Sequence, residues 1–459
     1  MSELLQQTAT IAARYLATLD ERPVARAIDN ASLLASLGGS LPETGEDPTA
    51  VIRTLAERCD AGLVATPGPR FFGFVIGGAV PAALAADWLA SAWDQNAFSF
   101  VLSPAAAVVE EVSRQWIADL LGLSSDVSLG MVTGATMANF TCIAAGRHAQ
   151  LLKAGWNVEE DGLFGAPPLN VVVSDESHVT VFASLQMLGL GRNRVTRIPT
   201  DAQGRMRADA LRGTLAGLRG PLVVCAQAGN VNTGAFDPIM DIAPIVHAAG
   251  GWLHVDGAFG AWAAASPKLK HLTAGLELAD SVGVDAHKWL NVPYDCGFAI
   301  TRDAAAHRAA MTLEAPYYVP SPNEARANHN FVPESSRRAR GFAVYAALRS
   351  LGRVGISDLI ERCCTLAQRM ASRLGRSPRI RILNDVVLNQ VLVSFEAPNG
   401  GDADAFTAAV IKRVQDDGTC WLGGTTWRGM HVMRISVSSW ATTVDDIDRS
   451  ADAILRAAE

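Results

Sequence analysis

Concentrated positive charge is missing from this 459-residue chain: 39 Lys and Arg stand against 46 Asp and Glu, a formal net charge of −7. With no Lys/Arg-rich run and no basic tail, nucleic acid is excluded as the main partner. Cysteine is sparse and scattered, at 59, 142, 225, 296, 363, 364 and 420. The number is odd and no pair has CxxC spacing, so neither a zinc ribbon nor a disulfide framework is expected, and no metal site. Long apolar runs are absent too. The most apolar stretch, FFGFVIGGAVPAALAA (71–86), is short of a bilayer span and is interrupted by Gly77, Gly78 and Pro81, so no membrane partner is expected. The start, MSELLQQTATIAARYLATLDERPVARA, lacks the basic and apolar regions of a secretion signal, and the expectation is a cytoplasmic protein. Neither GxGxxG nor GxxxxGKS/T occurs around Gly134, which discounts a nucleotide site there. No internal repeat or low-complexity tract is present.

What the chain does have is alternation. From about residue 70 to 300, the short β-rich runs NVVVSD (170–175), PLVVCAQ (221–227), GWLHVDGA (251–258), SVGVDA (281–286) and CGFAITR (296–302) are separated by helical patterns such as 137–153 and 238–249. Strands alternating with helices predict an α/β fold with a mostly parallel sheet covered on both faces, and ligands in such sheets sit outside the carboxyl ends of the strands. Before this region, residues 4–18 carry apolar positions at helical spacing and need a partner surface; a linker at 37–48 and a second helix at about 49–62 follow. After it come a long helix at about 341–374, the strands LNQVLVSFEA and HVMRISVSS, and a final helix at 443–458, a small α+β domain. The expected divisions are 1–70, 71–345 and 346–459.

Four motifs carry chemistry. Asp256 ends the apolar strand WLHVD, and Lys288 follows 32 residues on in DAHKWLN (285–291), next to an apolar patch. Lysine is seldom enclosed; either its stem lies along apolar neighbours or it is covalently occupied. GMVTGATMANF (130–140) places Ala135 and Thr136 after the Gly134 turn at a helix start, where backbone N–H groups favour an anion, although Thr136 equally suits an ordinary N-cap. SDESHVTVFAS (174–184) sets His178 just after a strand, able to stack on a flat ring or simply to bond locally. Each is ambiguous alone. In this order, all after sheet strands, they point to a pyridoxal phosphate site, where a lysine forms a Schiff base and a carboxylate keeps the pyridine nitrogen protonated.

Over nearly its whole length the chain resembles the group II pyridoxal-phosphate-dependent amino-acid decarboxylases, the family of aromatic-L-amino-acid, histidine and glutamate decarboxylases. The resemblance is carried by PRFFGFV (69–75), SPAAAVVEEVSRQWIADLLGL (103–123), TGATMAN (133–139), SDESHVT (174–180) and AGNVNTGAFDP (229–238). It continues through HVDGAFGAW (254–262), DAHKWLNVPYDCG (285–297), SSRRARG (335–341) and MRISVSS (433–439); HVDGAFG with DAHKWLNVPYDCG is the specific part. It implies the aspartate aminotransferase-like fold (fold type I) with a seven-stranded large-domain sheet, pyridoxal 5'-phosphate as cofactor, and a homodimer with the active site at its interface, the N-terminal helix packing on the other protomer. It also implies that Lys288 is the Schiff-base lysine, Asp256 the partner of the pyridine nitrogen and His178 the stacking residue. Ala258 would lie on the cofactor's other face, and Ala135 and Thr136 would bind phosphate with His287 nearby.

One segment departs from the family. Its aromatic-amino-acid branch carries a loop tyrosine linked to protonation of the product; counting back from Arg337, Asn328 stands there, with His329 beside it as a replacement acid. Tyr317 and Tyr318 lie upstream and could serve in another loop register. Six aromatics within thirty residues (Phe71, Phe72, Phe74, Trp93, Phe98 and Phe100) would line a pocket for an aromatic side chain or form ordinary core. Arg434 would bind a substrate carboxylate or pair locally. The expected activity is decarboxylation of an aromatic L-amino acid to amine and carbon dioxide. The alternatives are aldehyde synthesis by oxidative deamination, carbon–carbon lysis or transamination on the same fold, an acidic substrate, or a non-catalytic binding protein.

Overall fold

The computed structural model describes residues 1–312 and 326–459; Tyr317 and Tyr318 lie outside them. Two compact units are distinguished, Met1–Ile76 with Leu366–Leu383 and Val391–Glu459, and Gly77–Thr365 with Asn384–Gln390.

The larger unit is built on a seven-stranded sheet of β1 (Ser128–Val132), β2 (Asn170–Ser174), β3 (Val195–Ile198), β4 (Leu222–Gln227), β5 (Trp252–Asp256), β6 (Ser281–Asp285) and β7 (Gly297–Thr301), in the order β1-β7-β6-β5-β4-β2-β3. β7 runs antiparallel to both neighbours; the other pairings are parallel. This is the mostly parallel α/β sheet expected from the alternation. Strands β4 to β7 are buried at every residue, as a sheet covered on both faces requires. Helix α4 (Ala135–Lys153) lies on it through small residues. A side chain at Gly146 would strike the Trp252 indole at 2.8 Å, so glycine there sets how closely helix and strand approach. Ile143 and Ala144 of α4 pack with Val171, Val173, Val223 and Cys225 in one core cluster.

The smaller unit carries α1 (Ser2–Ala17), α2 (Asn30–Leu37) and α3 (Pro48–Cys59), none of which has a buried residue. Its sheet has the order β10-β11-β9-β8, from β8 (Ile380–Ile382), β9 (Gln390–Phe395), β10 (Gly423–Trp427) and β11 (Met430–Ser436). Arg70 is buried there, its guanidinium bonding Asp446 Oδ1 at 2.9 Å and the carbonyls of Thr419 and Asp20 at 2.8 Å each, so that no donor edge of the fork is wasted. The long helix at Gly341–Leu374 breaks at Gly352, whose φ of 60° is left-handed and therefore suits glycine. All seven cysteines are free thiols, and all but Cys59 are buried. Among the described residues, no helix is long and apolar enough to cross a membrane.

Candidate active site

Strands β5 and β6 are parallel neighbours, with Asp256 opposite Gly283, so their carboxyl ends open on the same side. Asp256 is the last residue of β5; β6 ends at Asp285 and passes into the short helix α6 (Ala286–Trp289), which carries His287 and Lys288. β1 leads through Thr133 and Gly134 into the N-terminus of α4. β2 leads to His178, the N-cap of α5 (Val179–Met187). Thr133, Gly134, Ala135, Thr136, His178, Thr180, Ala258, Asp285, His287 and Lys288 line a cavity of about 240 Å³. A larger hollow of about 680 Å³ lies at the opposite strand ends, beside Trp252, Asp280 and Arg302, and contains none of the motif residues.

Asp256 is buried, with Oδ1 accepting from the Ala258 N–H at 3.1 Å and Oδ2 from Asn139 Nδ2 at 3.0 Å. Among the described residues no cationic side chain pairs with it, although a buried carboxylate ordinarily demands one. Lys288 Nζ lies 2.9 Å from Asp285 Oδ2. The other oxygen of Asp285 accepts from the Ala135 N–H at 2.5 Å, seating a carboxylate over the first turn of α4, where the helix dipole favours negative charge. His287 Nε2 is 3.4 Å from the same oxygen, while its Nδ1 accepts from the Cys296 N–H at 3.2 Å. Burial lowers the His287 pKa, partly opposed by Asp285. A Cβ at Gly134 would lie 2.8 Å from His287 Cε1, so the bare backbone there keeps the cavity open. At Gly77 a Cβ would fall 1.9 Å from the Lys288 carbonyl oxygen.

The motif residues Ala135, Thr136, His178, Ala258, His287 and Lys288 are thus gathered around one cavity, with Asp256 beside Ala258. Other expected site residues sit elsewhere in their units. His329 stacks on Phe98 with ring centroids 4.1 Å apart. Asn328 is buried and donates to the Ala107 carbonyl at 3.3 Å. Trp93 is exposed and meets Phe342 edge-on, and Phe100 is half-buried. In the smaller unit, Phe72 is fully buried and Phe71 stacks on Trp421 at 4.9 Å; Arg434 pairs backbone to backbone with Gly423, and burial lowers its pKa. Phe74 is exposed and also stacks against Trp421. Asp285, Asn139, Thr180 and His254 are polar residues of the site that motif spacing alone did not single out.

A family model for the pyridoxal-dependent decarboxylase conserved domain matches residues 32–397. The chain belongs to this family. Among curated relatives, the aromatic-L-amino-acid decarboxylase of Bacillus atrophaeus is 26% identical over 457 residues, 97% of this chain and 93% of that protein. The L-2,4-diaminobutyrate decarboxylase of Rhizobium meliloti is 31% identical over 386 residues, 82% and 75%. The crystal structure of Oryza sativa TDC with PLP and tryptamine superposes with a TM-score of 0.93 at 22% identity, covering 100% of this chain and 97% of that one. The fold is therefore that of the pyridoxal-phosphate-dependent decarboxylases, fold type I, and the cofactor is pyridoxal phosphate. The residues present fit this group: a buried carboxylate without a cation suits a protonated ring nitrogen, and the open backbone at Gly134 before a helix N-terminus suits a phosphate.

Proposed function

We propose that this member of the pyridoxal-dependent decarboxylase family converts an aromatic L-amino acid to its amine and carbon dioxide. The observation that carries this is the pairing, at the carboxyl ends of adjacent parallel strands, of Lys288 with a cavity whose rear carboxylate, Asp256, lacks a cation. Lys288 Nζ would hold the cofactor through its aldehyde carbon. Asp256 keeps a proton on the ring nitrogen; His178 stacks on the ring and holds a proton near the α-carbon. Ala258 packs on the other face. Ala135, Thr136 and His287 hold the phosphate. Bound there, pyridoxal phosphate supplies a conjugated electron sink for the pair left when a bond to the α-carbon breaks.

The chain's own work is selection of that bond. The pocket would select the carbon–carboxylate bond by holding the substrate carboxylate in surroundings that do not reward its charge, and a proton held by His178 would reach the α-carbon as carbon dioxide leaves. The aromatic preference is supported by the aromatic-L-amino-acid decarboxylase relative, while the diaminobutyrate relative makes a basic substrate the first competitor. A homodimer is supported by α1–α3, which leave Leu5, Leu34 and Leu55 exposed and need a covering surface. One observation favours a second outcome, aldehyde and ammonia. Asn328, in the place of the family tyrosine, is buried against Ala107 and cannot deliver a proton.

The test is purified protein with pyridoxal phosphate, offered a panel of aromatic, basic and acidic L-amino acids, with amine, carbon dioxide, aldehyde and ammonia measured separately. Amine and carbon dioxide from aromatic substrates, abolished by Lys288→Ala, are expected. Aldehyde with ammonia and carbon dioxide, formed as dioxygen is reduced to hydrogen peroxide, would mean that loss of carbon dioxide is coupled to oxidative deamination, and turnover of 2,4-diaminobutyrate alone would overturn the aromatic assignment.

A further inference from the structure

Beside the Lys288 cavity the buried polar side chains form one continuous hydrogen-bonded network. Trp252 Nε1 can only donate, and reaches Ser281 Oγ at 2.9 Å. Ser281 Oγ also lies 3.0 Å from His254 Nδ1, to which it can donate. His254 Nε2 lies 3.0 Å from Asn139 Oδ1; an amide oxygen can only accept, so the neutral imidazole carries its proton on Nε2. With its oxygen so engaged, Asn139 presents Nδ2 to Asp256 Oδ2 at 3.0 Å and to Thr180 Oγ1 at 3.3 Å. His178 Nδ1 accepts from the Thr180 backbone N–H at 3.4 Å and faces the Thr180 hydroxyl at 2.8 Å, which can donate to it. His178 therefore also carries its proton on Nε2.

We propose that Asn139 is a positioning residue that, through one amide, fixes the Asp256 carboxylate and orients the Thr180 hydroxyl towards His178, with His254 as its neutral Nε2–H anchor. This rests on the cofactor roles of Asp256 and His178 proposed above. An amide gives an acceptor to one side and two donors to the other, a division that neither a carboxylate nor a hydroxyl offers. Aspartate at 139 would face Asp256 as a like charge; an apolar residue would strand Asp256 Oδ2 and the His254 proton inside the core. The fold makes room for the amide at a cost in side chain: a Cβ at Gly283 would lie 2.5 Å from Asn139 Oδ1. Burial holds His254 neutral, its pKa pushed down to about 4, so the network delivers orientation to Asp256 without cancelling its charge. On the His178 side, Nδ1 is taken by Thr180, which leaves Nε2 as the nitrogen through which a proton reaches a ligand.

Histidine-selective 15N labelling tests this in the cofactor-free protein and again with pyridoxal phosphate, the His178→Gln and His254→Gln proteins identifying the two signals. At pH 7 both imidazoles are expected as neutral Nε2–H tautomers. Thr180→Val should change His178 alone. Asn139→Ala should release the His254 tautomer and raise the dissociation constant for pyridoxal phosphate, read from its visible band, about ten- to a hundredfold, the worth of a hydrogen bond to a charged group. Either histidine found as Nδ1–H or as imidazolium in the unmodified protein overturns the proposal, as does an Asn139→Ala protein with unchanged His254 tautomer and affinity. If that variant does not fold, the unmodified spectrum decides alone. Failure of the unmodified protein to take up pyridoxal phosphate would instead remove the cofactor roles, and the tautomers of the cofactor-free protein would still decide the network.

Discussion

A methyl group added at Gly283, on the strand next to Asp256, is expected to weaken the site without touching any residue that meets a ligand. In most strand positions replacing glycine by alanine is neutral or mildly stabilising, so the sign is diagnostic. The new Cβ would lie 2.5 Å from Asn139 Oδ1. Ordinary C···O contacts begin at about 3.3 Å, so the amide must retreat by roughly 0.8 Å. That movement carries Nδ2, now 3.0 Å from Asp256 Oδ2, out of hydrogen-bond range. Losing a hydrogen bond to a buried charged group costs about 1.5–3 kcal/mol, and overpacking adds about 1–3 kcal/mol. Urea unfolding of the cofactor-free Gly283→Ala protein should therefore show a loss of about 2.5–6 kcal/mol. Part of the bond's value is lost in both the free and loaded protein, so pyridoxal phosphate should bind about tenfold more weakly rather than the ~150-fold of the full figure. Adding Asn139→Ala should restore the overpacking share of stability but not the affinity. Wild-type stability and affinity in Gly283→Ala would show that the amide is not confined and would refute the reasoning.

Two further outcomes follow from buried charge. Arg337 grips Glu110 with two hydrogen bonds of 2.6 and 2.8 Å, both side chains being almost fully buried. Arg337→Met should cost about 3–5 kcal/mol in urea unfolding by stranding Glu110, and Glu110→Met in the same chain should recover most of it; a loss below about 1 kcal/mol in the single variant would contradict this. His307 is buried, bonded through Nδ1 to Ser128 Oγ at 2.7 Å, and burial pushes its pKa down to about 3. The unfolded chain, with a value near 6.5, binds the proton first as pH falls. The His307 contribution is therefore present above about pH 6.5 and is lost at about 1.4 kcal/mol per pH unit down towards 3. Between pH 7.5 and 5, stability curves of the unmodified and His307→Gln proteins should converge by about 2 kcal/mol; parallel curves would rule this out.

The strands that announced themselves in the sequence are those buried on both faces. WLHVD and SVGVD read as continuous apolar runs with one carboxylate at the end, and the sheet sets them side by side. The edge strand VTRI escaped because its middle residues face solvent, and SLGMV because a glycine and the turn after it dominate its pattern. The long helix was legible to its ends, but not its break at Gly352. Within the candidate site, Lys288 and Asp256 stand out in the sequence from residue type, order and spacing. Asp285, Asn139 and Thr180 sat inside the same quoted motifs. Their partners depend on which neighbours a strand register and a helix rotation bring within 3 Å, which residue spacing does not encode. His254 was hidden for the opposite reason, a polar residue in the middle of an apolar strand whose partner lies across the sheet at Ser281.

The distribution of thiols has a practical consequence. Burial pushes Cys142, Cys225 and Cys420 up to about 12 and Cys363 to about 11, and raises Cys296 and Cys364 as well. These six are both enclosed and protonated at neutral pH, and alkylating reagents act on thiolates they can reach. Cys59, at the end of α3, is the partly exposed one. A maleimide dye or spin label should therefore attach to the native chain at a single point, with no cysteine to remove first. That point lies in the helical N-terminal segment, whose uncovered leucines make it the place where pairing of two copies would be felt, so fluorescence or spin–spin coupling from one label per chain reads assembly directly.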